Sequence, residues 1–128
     1  MSIPGTAEGF NDKGSVTPEN LIAGEYPRVS RVVTVTGGVP LAIGSVLGRI
    51  DADGRYLLSA ADAADGSEIP DVILGESIDT TDGDKQAVAY FTGEFNEFAL
   101  TLGVGHTLDS VRSVFRTRSL FLRKNQPV

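Results

Sequence analysis

The sequence predicts an α+β fold of a single domain that is mostly β. We expect a small mixed β-sheet or barrel-like core with hairpins, one short C-terminal helix and a disordered N-terminal arm. Three observations predict this fold. Short apolar runs alternate with turn residues, and glycine occurs 15 times in 128 residues, which suits turns between strands. One window near the C-terminus has apolar residues at helical spacing, and the first 20 residues have no periodicity.

Residues 1–20 are the predicted flexible arm, and residues 21–128 are the predicted β-rich domain. The arm is rich in Gly, Pro, Ser, Thr and charged residues. Such a segment cannot bury enough apolar surface to offset the entropy lost on ordering. Ile3 and Phe10 are apolar exceptions. Isolated apolar residues in a tail need no explanation, but they also suit an arm that orders on a partner.

The stretch Leu41–Ala60 is predicted to form the hairpin around which the domain is built. Asp53-Gly54 separates two apolar runs, and this dipeptide favours a two-residue type I′ turn with positive φ at both positions. This structural turn places Ile50 opposite Leu57 on one face. The other face then carries Leu47, Tyr56 and Leu58.

Alternating apolar and β-branched residues predict further strands on both sides of the hairpin. These strands are Arg28–Thr36, Asp71–Ile78, Lys85–Thr92 and Phe95–Leu102. Gly93 is expected to interrupt the chain between the last two. Within the second strand, Val72 and Leu74 are expected to face away from Ile73.

A helix is predicted from Leu108 to about Thr117. Thr107 suits its N-cap, and Asp109 lies in the first turn, where the helix dipole favours an anion. The apolar residues that recur at helical spacing are Leu108, Val111, Val114 and Phe115. Ser119–Lys124 is expected to form a last short strand.

The composition excludes several classes of function. The formal charge of −6 argues against nucleic-acid binding through phosphates. The absence of cysteine excludes disulfides and thiolate metal sites. No apolar run is long enough to cross a membrane, and no signal-peptide pattern is present, so we expect a soluble intracellular product without a membrane partner.

The charge is unevenly distributed along the chain. The residues after Asp109 include five Arg and Lys and no acid, whereas the preceding part holds six basic residues and all 17 acidic ones. Cations near a helix C-terminus and on a surface are ordinary. The alternative is that the basic tail meets an acidic surface of a neighbouring copy, since opposite patches permit head-to-tail contacts.

No catalytic, metal or cofactor site is predicted. His106 is followed by Asp109 and Ser110, but neighbours at a helix start do not form the geometry of a catalytic relay. We expect His106 to precede a capped helix. Asp51–Gly54 resembles the start of a calcium loop but lacks the glycine and the glutamate that such a loop needs at its positions 6 and 12.

Several segments, in this order, resemble the head decoration protein family of tailed bacteriophages, which is named for the lambda head-stabilising protein. They are Leu21–Pro27, Arg31–Val33, Gly44–Ile50, Tyr56, Asp65–Ser67, Pro70, Ile73–Leu74, Gly93–Asn96 and Leu100–Gly103. The resemblance runs from about Leu21 to Leu122. The chain also carries a C-terminal helix and a basic tail that are additional to the lambda protein.

The resemblance implies a structural protein of the virion and not an enzyme. Family members form homotrimers on the outer surface of the expanded capsid, at local threefold positions, and clamp subunits of the major capsid protein. Such proteins are made in the host cytoplasm. Their arm orders against the shell, often by adding a strand. This implication makes Ile3, Phe10, Leu21, Ile22 and Tyr26 the candidate capsid-binding residues.

Two alternatives from other classes stay open at this point. One is a structural oligomer of the phage tail or baseplate, which would also lack a chemical site. The other is a small β-barrel hydrolase or ligand-binding domain, which would need a polar pocket with converging titratable groups.

Overall fold

A computed structural model describes residues 21–22 and 26–124. It contains eight strands, one α-helix and one short 3-10 helix. The strands are β1 (Val29–Val35), β2 (Pro40–Leu41), β3 (Val46–Arg49), β4 (Tyr56–Leu58), β5 (Pro70–Leu74), β6 (Ile78–Asp79), β7 (Lys85–Asn96) and β8 (Leu120–Arg123). The 3-10 helix is Glu97–Ala99, and the helix α1 is Leu108–Arg116.

Five strands close into a barrel-like sheet, which confirms the predicted fold class. Their order is β1-β4-β3-β5-β7, and β7 pairs again with β1. The closing pair is antiparallel and long, from Val35 opposite Lys85 to Val29 opposite Thr92. β1 and β4 are parallel neighbours. β8 extends the sheet beyond the barrel by pairing in parallel with the end of β7.

The core consists of two apolar clusters on opposite faces of this sheet. We call the residues inside the ring the barrel cluster: Val35, Leu41, Leu47, Tyr56, Val72, Leu74, Ala87 and Ala89. We call the residues under the helix the outer cluster: Leu21, Val46, Ile73, Phe95, Val111, Phe115 and Leu120. β5 contributes to both clusters, because successive side chains of a strand point to opposite faces. The predicted orientation of Val72 and Leu74 against Ile73 is therefore confirmed.

The central hairpin has the predicted faces but a shifted register. Gly48 lies opposite Leu57, where Ile50 was expected. The shift is two residues, so each side chain keeps its face. The cause is a longer loop. Among the described residues other than glycine only Ser119 has a positive φ, so Asp53 does not meet the type I′ requirement, whereas Gly54 does, at +76°.

The prediction of a strand over Phe95–Leu102 with a break at Gly93 is wrong in both respects. β7 continues through Gly93, whose φ is +143°. A Cβ there would lie 2.9 Å from atoms of the Phe95 ring. The strand ends instead at Asn96, because the Asn96 side chain accepts a hydrogen bond from the backbone N–H of Phe98 and starts the 3-10 helix.

The remaining predicted elements agree with the structure apart from their ends. The strand predicted from Asp71 stops at Leu74, and Ile78 belongs to β6, which pairs with β2. α1 starts after the N-cap Thr107, whose hydroxyl accepts a hydrogen bond from Ser110 N–H at 3.2 Å. The predicted last strand is confirmed as β8.

Candidate functional site

The first described residues attach the N-terminal chain to the far end of β7. Ile22 forms an antiparallel bridge with Phe95. The backbone N–H of Asn96 donates to the carbonyl of Leu21 at 2.8 Å. The Leu21 side chain is 1% exposed and belongs to the outer cluster. We call Leu21, Ile22 and the adjoining stretch Phe95–Phe98 the arm root.

The arm root is tied to α1 by a partly buried ion pair. The Glu97 carboxylate is only 4% exposed and contacts the guanidinium of Arg112, which also pairs with Asp109 at 2.7 Å. The Glu97 carboxylate is the main cause of the raised pKa of Arg112. A buried carboxylate is tolerated only when it is paired. The pair therefore fixes the position of the 3-10 helix relative to α1.

Phe98 is the large apolar side chain that the arm root leaves in solvent. It is 57% exposed, although its neighbours Glu97 and Asn96 are buried. An exposed aromatic ring is typical of a contact residue at an interface. The sequence prediction missed this feature because it placed Phe98 in a strand with alternating apolar residues. An Asn as N-cap, at position 96, was the available signal.

Tyr26 lies next along the same strand end. Its ring packs edge-on against Phe121 at a centroid distance of 5.0 Å. Its backbone N–H donates to Glu94 Oε1 at 2.9 Å. Tyr26 is 39% exposed, so it stays partly open to solvent despite this packing.

The predicted capsid-binding residues thus fall into two groups. Leu21, Ile22 and Tyr26 all lie along the last residues of β7, and Leu21 serves there as a core residue. Ile3 and Phe10 lie outside the described residues.

His106 takes part in a buried hydrogen-bond network and not in a catalytic relay. The hydroxyl of Ser59 donates its proton to the carbonyl of Ser67 at 2.7 Å. The His106 Nε2, at 3.0 Å from the Ser59 oxygen, must therefore act as the donor in that contact. A base that activates a nucleophile accepts the hydroxyl proton, so this arrangement has the opposite polarity. Asp109 faces Arg112 and does not orient the imidazole.

A cleft of about 260 Å³ lies beside the end of the hairpin. It is lined by Arg49, Asp51, Gly66, Ile69, Asp71 and Arg118. Arg118 and Asp71 form an ion pair at 2.9 Å across it. Burial raises the pKa of the nearby Tyr56 hydroxyl, and the charge of Asp71 adds to this effect. Among the described residues, no group of three or more His, Asp or Glu side chains could hold a metal ion.

Four exposed carboxylates, in loops or at a strand end, have a lowered pKa. The largest cause is a hydrogen bond in each case: from Arg55 N–H to Asp53, and from the hydroxyls of Ser67, Thr81 and Thr36 to Asp65, Asp79 and Asp84. These side chains stabilise turns, because each accepts bonds from residues close by in the loop or in a neighbouring strand. They do not converge on a common point.

The family assignment rests on a match over most of the chain. The family model of bacteriophage lambda head decoration protein D matches residues 12–116. The chain therefore belongs to this family of phage head decoration proteins, as the sequence resemblance indicates. A search of curated proteins finds no significant match. The family is one of structural phage head proteins and not an enzyme family, and its members are associated with the phage capsid.

The matched region ends at the last residue of α1, so the family match includes the helix that the sequence analysis took as additional. β8 and the basic residues Arg118, Arg123 and Lys124 lie beyond it. No helix among residues 21–22 and 26–124 is long and apolar enough to cross a membrane.

Proposed function

We propose that the chain is a capsid decoration protein that binds the outside of the expanded phage head as a homotrimer. The trimers occupy local threefold positions and clamp neighbouring subunits of the major capsid protein. The chain is made in the host cytoplasm and resides on the outer surface of the virion. The observation that carries this proposal is the family match over residues 12–116, which includes the barrel, α1 and the arm root.

The arm supplies the main capsid contact in this proposal. Residues 1–20 lead into Leu21, which is held by the core and by a hydrogen bond to Asn96. A segment fixed at one end and rich in polar residues can add a strand to a partner sheet, with Ile3 and Phe10 filling apolar pockets. Ile22 and Tyr26 continue the contact surface onto the domain.

Avidity explains how weak individual arms hold a shell. Three arms on one trimer convert the second and third contacts into intramolecular events, so each contact need not be strong. Binding only to the expanded lattice stabilises that lattice by mass action. No cofactor is needed for either effect.

Deleting residues 1–19 tests the proposal. We expect the shortened chain to keep the thermal unfolding temperature and trimeric mass of the full chain, because Leu21 and the described fold are retained. We expect it to lose co-sedimentation with expanded capsids of its own phage. The full chain is the positive control. Binding of the shortened chain with full affinity would overturn the role of the arm, and absence of binding by the full chain would overturn decoration itself.

A further inference from the structure

The backbone around Tyr26 is held along the end of β7 by two side chains of that strand. The backbone N–H of Tyr26 donates to Glu94 Oε1 at 2.9 Å. The Thr92 hydroxyl donates to the carbonyl of Pro27 at 2.7 Å and accepts from the backbone N–H of Val29 at 3.0 Å. β1 and its regular pairing with β7 begin only at Val29. The position of Tyr26 therefore depends on side-chain contacts rather than on a strand ladder.

β8 supplies the second set of contacts around Tyr26. The Tyr26 ring packs edge-on against Phe121, with ring centroids 5.0 Å apart and an angle of 72° between the ring planes. Phe121 lies opposite Glu94 in the parallel pairing of β8 with β7. The second oxygen of Glu94, Oε2, is 3.7 Å from a guanidinium nitrogen of Arg123. Two residues of β8 therefore support Tyr26, one through its ring and one through the carboxylate that holds its backbone.

The two faces of β8 make different contacts. Successive side chains of a strand point to opposite faces. Leu120 and Leu122 point to the outer cluster, where Leu120 is fully buried. Among the residues that the structure describes, Tyr26 and Phe121 pack on each other outside both apolar clusters. The aromatic pair is therefore not part of the core, and it leaves an ordered tyrosine ring partly exposed at the surface.

We propose that Phe121 is a positioning residue for capsid binding, which holds the Tyr26 ring ready to contact the major capsid protein. A tyrosine ring offers a large contact area with a polar tip, and for this reason tyrosine is enriched at interfaces. A ring that is already ordered loses less side-chain entropy on binding than a free one. β8 lies beyond the residues that match the family model, so family membership alone does not imply this contact. The inference rests on the proposed decoration function, in which Tyr26 belongs to the contact surface.

A double-mutant cycle tests whether Phe121 acts through Tyr26. Tyr26→Ala should weaken binding to expanded capsids about 30-fold, as for the loss of an aromatic contact residue. Phe121→Ala should weaken it about fivefold, the cost of ordering one free side chain. The double variant should bind no more weakly than Tyr26→Ala, because Phe121 has no effect once the ring is absent. Full affinity of Phe121→Ala, or losses that multiply in the double variant, would overturn the inference.

Two further variants of β8 separate positioning from stability. Leu122→Ala removes a side chain that packs against the outer cluster. It should lower the melting temperature but leave the capsid affinity unchanged at a temperature at which it is folded. Phe121→Tyr keeps the aromatic contact and should bind like the unsubstituted chain. A loss of affinity in Leu122→Ala as large as that in Phe121→Ala would show that Phe121 acts only through the stability of β8, and it would overturn the inference.

Chemical modification of the unsubstituted chain gives an answer even if the Phe121 variants fold poorly. Tyr26 is the most exposed of the three tyrosines, since Tyr56 is buried and Tyr90 is half-buried. Tetranitromethane should therefore nitrate Tyr26 first in the free protein and leave it unmodified in decorated capsids. Equal nitration in both states would overturn the inference, and so would protection already in the free protein, which would assign the ring to a contact between copies. If the chain binds capsids and only these predictions fail, decoration stands, whereas both proposals fail if it does not bind.

Discussion

The two faces of the sheet differ in how their apolar clusters are assembled. The barrel cluster is built entirely from strand residues, and all of them except Leu41 of β2 belong to the five strands of the closed ring. The outer cluster combines Leu21 from the N-terminal side, residues of three strands, and Val111, Phe115 and Leu120 from the C-terminal part. The barrel provides a stable scaffold, whereas the outer cluster connects both ends of the described chain. The arm root belongs to the outer cluster, so the proposed function depends on the less self-contained face.

The largest effect is expected from the removal of a large side chain from the outer cluster. Phe115 is fully buried there, and Phe115→Ala should lower the free energy of unfolding by about 3–5 kcal/mol. Hydrogen exchange should quicken more at the Asn96 amide, which bonds to Leu21, than at the Ala89 amide in the barrel.

The matched substitution for this comparison is Leu74→Ala, which empties the barrel cluster. It should cost about 2–5 kcal/mol and accelerate exchange at both amides. If both variants raise the hydrogen-exchange rates of the Asn96 and Ala89 amides in the same proportion, the outer cluster is not less self-contained than the barrel cluster.

The ion pair between Glu97 and Arg112, which connects the arm root to α1, allows a further test of the outer face. Arg112→Ala leaves the Glu97 carboxylate buried without its partner, so we expect a lower urea midpoint than that of the unsubstituted chain. Arg116→Ala is the matched control, because Arg116 is an exposed residue of the same helix and should change stability by about 0.5 kcal/mol or less. Equal urea midpoints for the two variants would contradict the structural role of the pair.

A substitution in the hairpin loop should lower the stability of the barrel by a smaller amount. Gly54 has a φ of +76°, a conformation that a β-branched residue adopts only with strain, so Gly54→Val should cost about 1–2 kcal/mol. Ala52→Val, at an exposed loop position without positive φ, is the control. A melting temperature of the Gly54 variant equal to that of the control would show that the loop does not require this conformation.

Acid pH should slightly lower the free energy of unfolding, because four carboxylates lose their negative charge. The pKa of Asp53, Asp65, Asp79 and Asp84 is lowered from the ordinary value of 3.8 in the folded state. The stabilisation is therefore present above pH 3.8 and is lost as the pH falls through the lower folded-state values. Urea unfolding should give a constant free energy between about pH 5 and 7 and a decline below about pH 4.

Asp79→Asn tests the origin of this acid sensitivity, since its pKa is lowered mainly by the Thr81 hydroxyl. The variant should decline less steeply at acid pH than the unsubstituted chain. An identical acid profile of the two proteins would show that the turn carboxylates do not cause the decline.

Local patterns made much of the fold predictable from the sequence. The faces of β5, the bounds of α1 and the presence of β8 follow from periodicity and capping, which depend on neighbouring residues. The pairing of β1 with β7 could not be predicted, because it joins residues 50 to 63 positions apart and no local signal specifies it. The predicted register of the hairpin was wrong for a local reason. The Asp53 carboxylate accepts hydrogen bonds from Arg55, and the loop is longer than two residues.

The candidate site was predictable only in outline. Leu21, Ile22 and Tyr26 were candidates because of what the family resemblance implies, and the structure brings them to one strand end. The burial of Leu21 could not be foreseen, because the other residues of its cluster lie on β3, β5, β7, α1 and β8, far along the sequence. Asn96 and Phe98 were missed because a strand pattern concealed the N-cap that ends β7.

The most direct test of decoration is sedimentation of the full chain with expanded and with unexpanded capsids of its own phage. The account predicts saturable co-sedimentation with the expanded form alone, at a fixed number of copies per capsid subunit. Binding to both forms, or to neither, would contradict it.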